Sequence, residues 1–287
     1  MKILVLTPVW GRPGIVQMFL RAFERYNTGD IELRLVPILS PEDQFFQRFL
    51  YMFKGYDYYI YKNRPLGEKK NEGLRYSFRF DWDYLLEMGS DNILNNQVWD
   101  IYRDHWGEDM FGFLNLHIYD IYSKEMVELM DWNDDMCFGA GRMIRRDICE
   151  DCFPLWDWEL NDSLDTMSRK KILACGYNET AIWNDDPMVL DMKSNTQISP
   201  FEFLKNWGER VDKLQYFDFM DIDEMNKEIS TPKGFQDAYE KYRKEFATDN
   251  VPNHKIYEMV EMDYERLFGG RMYKNYNSFR SCRNAQS

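Results

Sequence analysis

The residues best suited to chemistry are acids and amides that interrupt apolar runs. Tyr84-Leu85-Leu86-Glu87-Met88 ends at Gly89-Ser90-Asp91-Asn92, after which apolar residues resume. Asp91, just beyond the carboxyl end of a strand, is placed to hold a hard divalent cation that in turn holds phosphate oxygens. The same string also suits an ordinary turn, because Ser, Asp and Asn favour turns and helix caps. A second acidic group, Glu159, Asp162 and Asp165, lies before and at the start of a helical pattern from Leu164 to Cys175 that Gly176 closes. One of these acids could take a proton from an attacking hydroxyl, while Asp162 or Ser163 equally suits a helix N-cap.

Three further segments flank strand ends. Thr7-Pro8-Val9-Trp10-Gly11-Arg12-Pro13 is a loop stiffened by two prolines. Its Trp10 could stack on a nucleobase and its Arg12 pair with phosphate. Pro65-Leu66-Gly67-Glu68-Lys69-Lys70-Asn71 puts Lys69 and Asn71 near a helix start, where backbone N–H groups favour anions; a solvated first turn is the alternative. In Phe138-Gly139-Ala140-Gly141-Arg142, the small residues permit close backbone approach to a ligand. Neither G-x-G-x-x-G nor G-x-x-x-x-G-K-[ST] occurs in the chain.

The elements that must position these residues follow from periodicity. Strands are expected at Lys2 to Thr7, Ile31 to Leu39, Tyr56 to Tyr61 and Tyr84 to Met88. Helices are expected at Ile15 to Tyr26, Phe45 to Phe53 and Lys69 to Phe78. Strand alternating with helix implies right-handed crossovers and a mostly parallel sheet. Beyond Asn92 the pattern predicts a helix from Asn95 to Arg103, one strand from Phe111 to Tyr119 and a loop with Asp131, Asp134 and Asp135. A short strand follows at Met188 to Met192. After Ser199-Pro200 it becomes helical, over Phe201 to Trp207, Asp223 to Ile229, Phe235 to Phe246 and Ile256 to Leu267.

Composition narrows the function class. The chain has 287 residues, 44% hydrophobic and 17% aromatic, so a large core is affordable. With 36 Lys+Arg against 49 Asp+Glu, the net charge is −13, which opposes non-specific nucleic-acid binding. A basic tail, with Arg271, Lys274, Arg280 and Arg283 and no acid after Gly269, is the local exception. Five cysteines include a Cys149-x-x-Cys152 pair without a second pair at metal spacing, and His105, His117 and His254 lie far apart. Reduced thiols in a cytoplasmic protein are therefore expected. The N-terminus reads as a first strand rather than a signal peptide, and no transmembrane segment is expected.

Taken in order, these segments resemble nucleotide-sugar-dependent glycosyltransferases of the GT-A fold, in the broad family 2-like group. Thr7, Pro8, Arg12 and Pro13 match that family's first loop, and Pro65, Leu66, Gly67, Lys69, Asn71, Gly73 and Leu74 its second motif. Its acidic metal motif appears as Gly89-Ser90-Asp91-Asn92, with one carboxylate replaced by an amide. The resemblance covers residues 1–195.

It implies an α/β, GT-A-like sheet domain over residues 1–198; the helical C-terminal extension expected over 199–287 rests on the sequence pattern and lies outside the resemblance. The resemblance also implies a nucleoside-diphosphate sugar donor contacted by Thr7, Pro8, Trp10, Arg12, Lys69, Asn71 and Ser90. Asp91 and Asn92 would hold Mn²⁺ or Mg²⁺, and Gly139, Gly141 and Arg142 would face the acceptor. Asp165, with Asp162 in reserve, would be the base for an inverting transfer to an acceptor hydroxyl. Polysaccharide, protein and a hydroxymethylated DNA base are all open as acceptors. Two alternatives stand beside the enzyme: a non-catalytic nucleotide- or carbohydrate-binding protein of this fold, and a sugar nucleotidyltransferase, whose Gly-rich signature Val9-Trp10-Gly11-Arg12-Pro13 lacks.

Overall fold

The computed structural model describes residues 1–121, 123–130, 136–193 and 201–217, all within one compact unit, Met1–Phe219. The chain opens with β1 (Lys2–Pro8), α1 (Pro13–Phe23), β2 (Glu32–Leu39), α2 (Phe46–Met52), β3 (Tyr59–Ile60), α3 (Leu66–Ser77) and β4 (Tyr84–Glu87). The expected alternation is therefore present, with ends displaced by a few residues. Next come β5 (Asn92–Leu94), α4 (Val98–Asp104), β6 (Met110–Phe113), β7 (Asn115–Asp120), β8 (Met126–Met130), β9 (Arg142–Arg145) and α5 (Arg146–Asp151). Then follow α6 (Leu164–Ala174), β10 (Glu179–Ile182), β11 (Val189–Lys193), α7 (Phe201–Leu204) and β12 (Glu209–Val211).

A seven-stranded sheet runs β10-β6-β9-β4-β1-β2-β3, with every neighbour parallel except β9, which is antiparallel to β4 and β6. It is an α/β fold with a largely parallel central sheet flanked by helices. Alternation along β1 explains the two layers. Ile3 and Val5 join Phe19, Phe49 and Trp99 in one apolar cluster, while Leu4 and Leu6 join Leu74, Leu85 and Trp156 in another. Each large apolar side chain so buried contributes roughly 1.5–3 kcal/mol. Because β1 is covered on both faces, its sequence is a continuous apolar run rather than an alternating one.

A second, five-stranded sheet, β12-β8-β7-β11-β5, was not legible from periodicity. The chain passes from the first sheet to the second at Met88–Asp91, at Leu114 and between β10 and β11. All three crossings leave the carboxyl ends of parallel strands. The strand expected over Phe111 to Tyr119 is accordingly two strands in different sheets, broken at Leu114, whose N–H donates to the Ile182 carbonyl at 2.9 Å. The apolar pattern carries straight through, since both halves are buried, and so conceals the break. The helix expected over Phe201 to Trp207 is only α7, and the chain then returns as β12 alongside β8. The Asp131, Asp134 and Asp135 loop, the helices expected between 223 and 267, and the basic tail lie outside the described residues. No helix among the described residues is long and apolar enough to cross a membrane.

Candidate functional site

The carboxyl edge of the parallel strands gathers most of the candidate residues. β1 delivers Thr7, which is fully buried and donates its hydroxyl to the Met88 carbonyl at 3.0 Å. This bond ties the first loop to the Gly89–Asn92 turn. Beyond Pro8, Trp10 projects outward, 41% exposed. Gly11 and Arg12 both have positive φ, +59° and 50°. That conformation is costly for arginine, and it turns the chain into α1, where Pro13 occupies the first turn. The Gly11 N–H donates to Asp43 at 2.6 Å, and the Arg12 guanidinium reaches Asp91 at 2.8 Å.

Beneath this loop lies α3. Gly67 and Gly73 explain its close fit, since a Cβ there would lie 1.8 Å from the Asp157 carbonyl oxygen and 2.2 Å from Ile38 respectively. The glycines of the second motif thus serve packing. Its polar residues turn inward as well. Lys69 is fully buried and donates to the Val9 carbonyl at 2.8 Å and to Asn63 at 3.1 Å, supporting the loop from below. Burial lowers its ammonium to about 7, against the opposing pull of Asp43 and Glu42. Asn71 spends both amide atoms on the Trp156 backbone, donating to its carbonyl at 2.7 Å and accepting from its N–H at 3.1 Å.

The Gly89–Asn92 turn bridges the two sheets. Asn92 accepts the Gly89 N–H through its amide oxygen and opens β5. Its register partner on β11 is Asp191, a residue that sequence reasoning missed. One Asp191 oxygen meets Lys193 at 2.7 Å, while the other is buried without a partner. Burial raises this carboxyl to about 6; Lys193 opposes the rise and Asp91 adds to it. Ser90 and Ser40 also hold buried hydroxyls without partners, and both follow carboxyl ends of strands in the first sheet, those of β4 and β2.

These atoms allow a test of the expected cation. Magnesium and manganese ions are often held by one or two carboxylates, with phosphate and water completing the shell. Asp91 and the unpartnered oxygen of Asp191 suit that donor set. The Asn92 oxygen already accepts the Gly89 N–H and keeps one lone pair, and no group of three acid, His or Cys ligands occurs among the described residues.

The acceptor-side residues lie along the same edge but divide in two. Arg142 begins β9 opposite Glu87 and is fully buried, bonding Glu87 at 2.7 Å, the Asp165 carbonyl at 3.0 Å and Ser168 at 2.7 Å. It anchors α6 to the sheet. Gly139 makes room for that helix, since a Cβ there would lie 2.6 Å from the Asp165 Cβ. Gly141 has φ +79° and donates its N–H to the Glu87 carbonyl at 2.9 Å. Asp165, half-buried at the first turn of α6, accepts the Thr166 N–H at 3.0 Å. Asp162 is exposed in the preceding loop.

Glu87, another residue missed, is the hub of this frame. It also accepts from Lys70 at 2.8 Å and from the Trp156 indole at 3.0 Å. Burial alone would raise its carboxyl, yet Arg142 and Lys70 outweigh that and hold it at about 2. The signal available in sequence was an acid inside an apolar strand, as it was for Asp191. Such a carboxylate is expensive to bury and must be paired or used.

No family model matches the chain, and no curated protein sequence matches it. Among solved structures it is similar to Staphylococcus aureus TarS 1-349 in complex with UDP-GlcNAc, at 12% identity and TM-score 0.48, covering 94% of this chain and 93% of that one. It is similar also to S. aureus TarS, at 12% identity and TM-score 0.47, where it covers 68% of itself but spans only 37% of TarS. A third is 4-diphosphocytidyl-2C-methyl-D-erythritol synthase, at 14% identity and TM-score 0.45, covering 64% of this chain and 89% of that one.

Proposed function

We propose that this protein is a glycosyltransferase that moves a sugar from a nucleoside-diphosphate sugar to an acceptor hydroxyl with inversion. The observation that carries the reading is that three buried polar atoms without partners, Ser40 Oγ, Ser90 Oγ and Asp191 Oδ1, lie along the edge that also bears Asp91 and Arg12. Unpaired buried groups of this kind each cost about 1–3 kcal/mol, and they are retained where a ligand uses them.

In this reading Trp10 stacks on the base. Ser40 and Ser90 offer hydroxyls to the nucleotide, and Arg12 moves from Asp91 toward the diphosphate. Asp91 and Asp191 hold a Mg²⁺ or Mn²⁺, which when bound offsets charge on the leaving diphosphate. Lys69 and Asn71 act beneath the site: Lys69 fixes the Val9 carbonyl, and Asn71 fixes the Trp156 backbone in the loop between α5 and α6. Arg142 and Gly139 hold the first turn of α6 against the sheet so that Asp165 can take the acceptor proton. The proton passes from the acceptor hydroxyl to an Asp165 carboxylate oxygen as the acceptor oxygen attacks the anomeric carbon from the face opposite the diphosphate, and the bond to the diphosphate breaks.

The test is a donor screen in two stages. Thermal shift with a set of nucleoside-diphosphate sugars, with and without Mn²⁺, should raise the melting temperature for one donor more strongly with the cation. Release of nucleoside diphosphate in the presence of candidate acceptors should then require Asp165. A donor-dependent shift without any turnover would favour a binding protein of the same architecture.

A further inference from the structure

Outside the site, on the opposite end of α6, two thiols face each other. Cys152 is the C-cap residue of α5 and Cys175 the C-cap residue of α6. Cys152 is 1% exposed, whereas Cys175 is exposed, and both are reduced. Burial pushes the Cys152 thiol up to about 12, and contact with the Cys175 side chain adds to the rise. Two contacts hold the same helix ends in place on either side of the pair. The Tyr177 hydroxyl donates to Asp151, and the Lys171 ammonium donates to the Pro154 carbonyl. The two helix ends are thus fixed in register before any covalent bond exists.

We infer that Cys152 and Cys175 form a reversible, peroxide-driven disulfide that locks the C-terminal ends of α5 and α6 together. Cys175 reacts first because it is the accessible thiol. Its thiolate attacks hydrogen peroxide, the O–O bond breaks, and hydroxide leaves as Cys175 becomes a sulfenic acid. Cys152 then attacks that sulfur. Its proton joins the departing hydroxide as water, and the S–S bond forms. The two thiols lose two electrons, and the peroxide gains them to end as two waters. Cys149 lies one helical turn before Cys152 and is wholly buried, so peroxide does not reach it directly. The disulfide closes the 152–175 segment, which contains all of α6, and fixes the end of that helix remote from Asp165 and Ser168. This inference does not depend on the proposed transfer reaction.

The experiment uses the full chain treated with hydrogen peroxide, alkylated, digested without reduction and mapped by mass spectrometry. The expected product is a peptide pair joined through Cys152 and Cys175, released by dithiothreitol. A rise in melting temperature should accompany it, by the loop-closure effect of a crosslink. Cys175→Ser, a change at an exposed position, should abolish both the linked peptide and the rise, while Cys149→Ser should keep both. The inference is overturned if Cys175 is recovered as sulfinic or sulfonic acid with Cys152 still alkylatable. It is overturned equally if Cys175 joins Cys282, or if the only linkage is between Cys149 and Cys152.

Discussion

Two acid–base pairs stand four residues apart on one strand and its turn, and burial gives them different work. Glu87 is 5% exposed and held by Arg142, Lys70 and the Trp156 indole. Asp91 meets Arg12 at a partly open edge, with side-chain exposures of 16% and 18%. Around Glu87 every partner is fixed by a strand, a helix or a backbone contact, so the pair acts as framework. Beside Asp91 stand an unpartnered serine and an acid with one unpartnered oxygen, and the loop that brings Arg12 to it also carries the exposed Trp10. A similar pairing of charges thus serves as skeleton where it is enclosed and as a ligand-facing edge where it is not.

Breaking the enclosed pair should have the largest effect. Glu87→Ala leaves Arg142 buried without its carboxylate, and urea unfolding should show a loss of about 3–5 kcal/mol. A loss below about 1 kcal/mol would mean that the pair is not framework. Asp165→Asn should come next, lowering kcat by roughly 10²–10⁴-fold while the melting temperature stays close to that of the unaltered chain. A loss of activity matched by unfolding would merge the two regions that the comparison separates. Asp91→Ala should remove the Mn²⁺-dependent part of the donor thermal shift and leave the fold intact. Retention of that increment would place the cation elsewhere.

Acid titration sharpens the contrast at Glu87. Its folded carboxyl is lowered from 4.5 to about 2, so the folded chain binds fewer protons than the unfolded chain between those values. The stabilisation is fully present above pH 4.5 and is lost as pH falls toward 2, by roughly 3 kcal/mol at most. In Glu87→Gln this component of the acid slope should vanish. The smallest effect belongs to Trp10→Ala. With Trp10 41% exposed, stability should change by less than about 0.5 kcal/mol, while nucleotide binding weakens by about 1–3 kcal/mol. Calorimetry with nucleoside diphosphate separates the two readings.

Much of the fold's first half was legible. Continuous apolar runs bounded by Pro and Gly marked β1, β2 and β4, and helical spacing marked α1 and α3. The second sheet was not, because its strands are short and meet residues distant in sequence, as Asn92 meets Asp191. The candidate site was legible in part. Asp91, Arg12, Thr7 and Trp10 were recognisable as residues at strand ends, and the structure gathers them on one edge. What their motifs could not reveal was direction. Lys69, Asn71 and Arg142 carry charge or amide groups suited to a ligand, yet each is buried and committed to protein partners.

The sequence by itself determined the alternation of strand and helix, the parallel sheet, and the placing of polar residues where strands end. These follow from local periodicity and backbone preference, which a single chain segment carries in full. Only the tertiary structure decided which polar residues face inward and which face the edge, and which distant acid stands beside Asp91. That outcome depends on packing across strands, where a difference of one residue in register moves a side chain to the other face. Glu87 and Asp91 illustrate it within a single stretch of five residues.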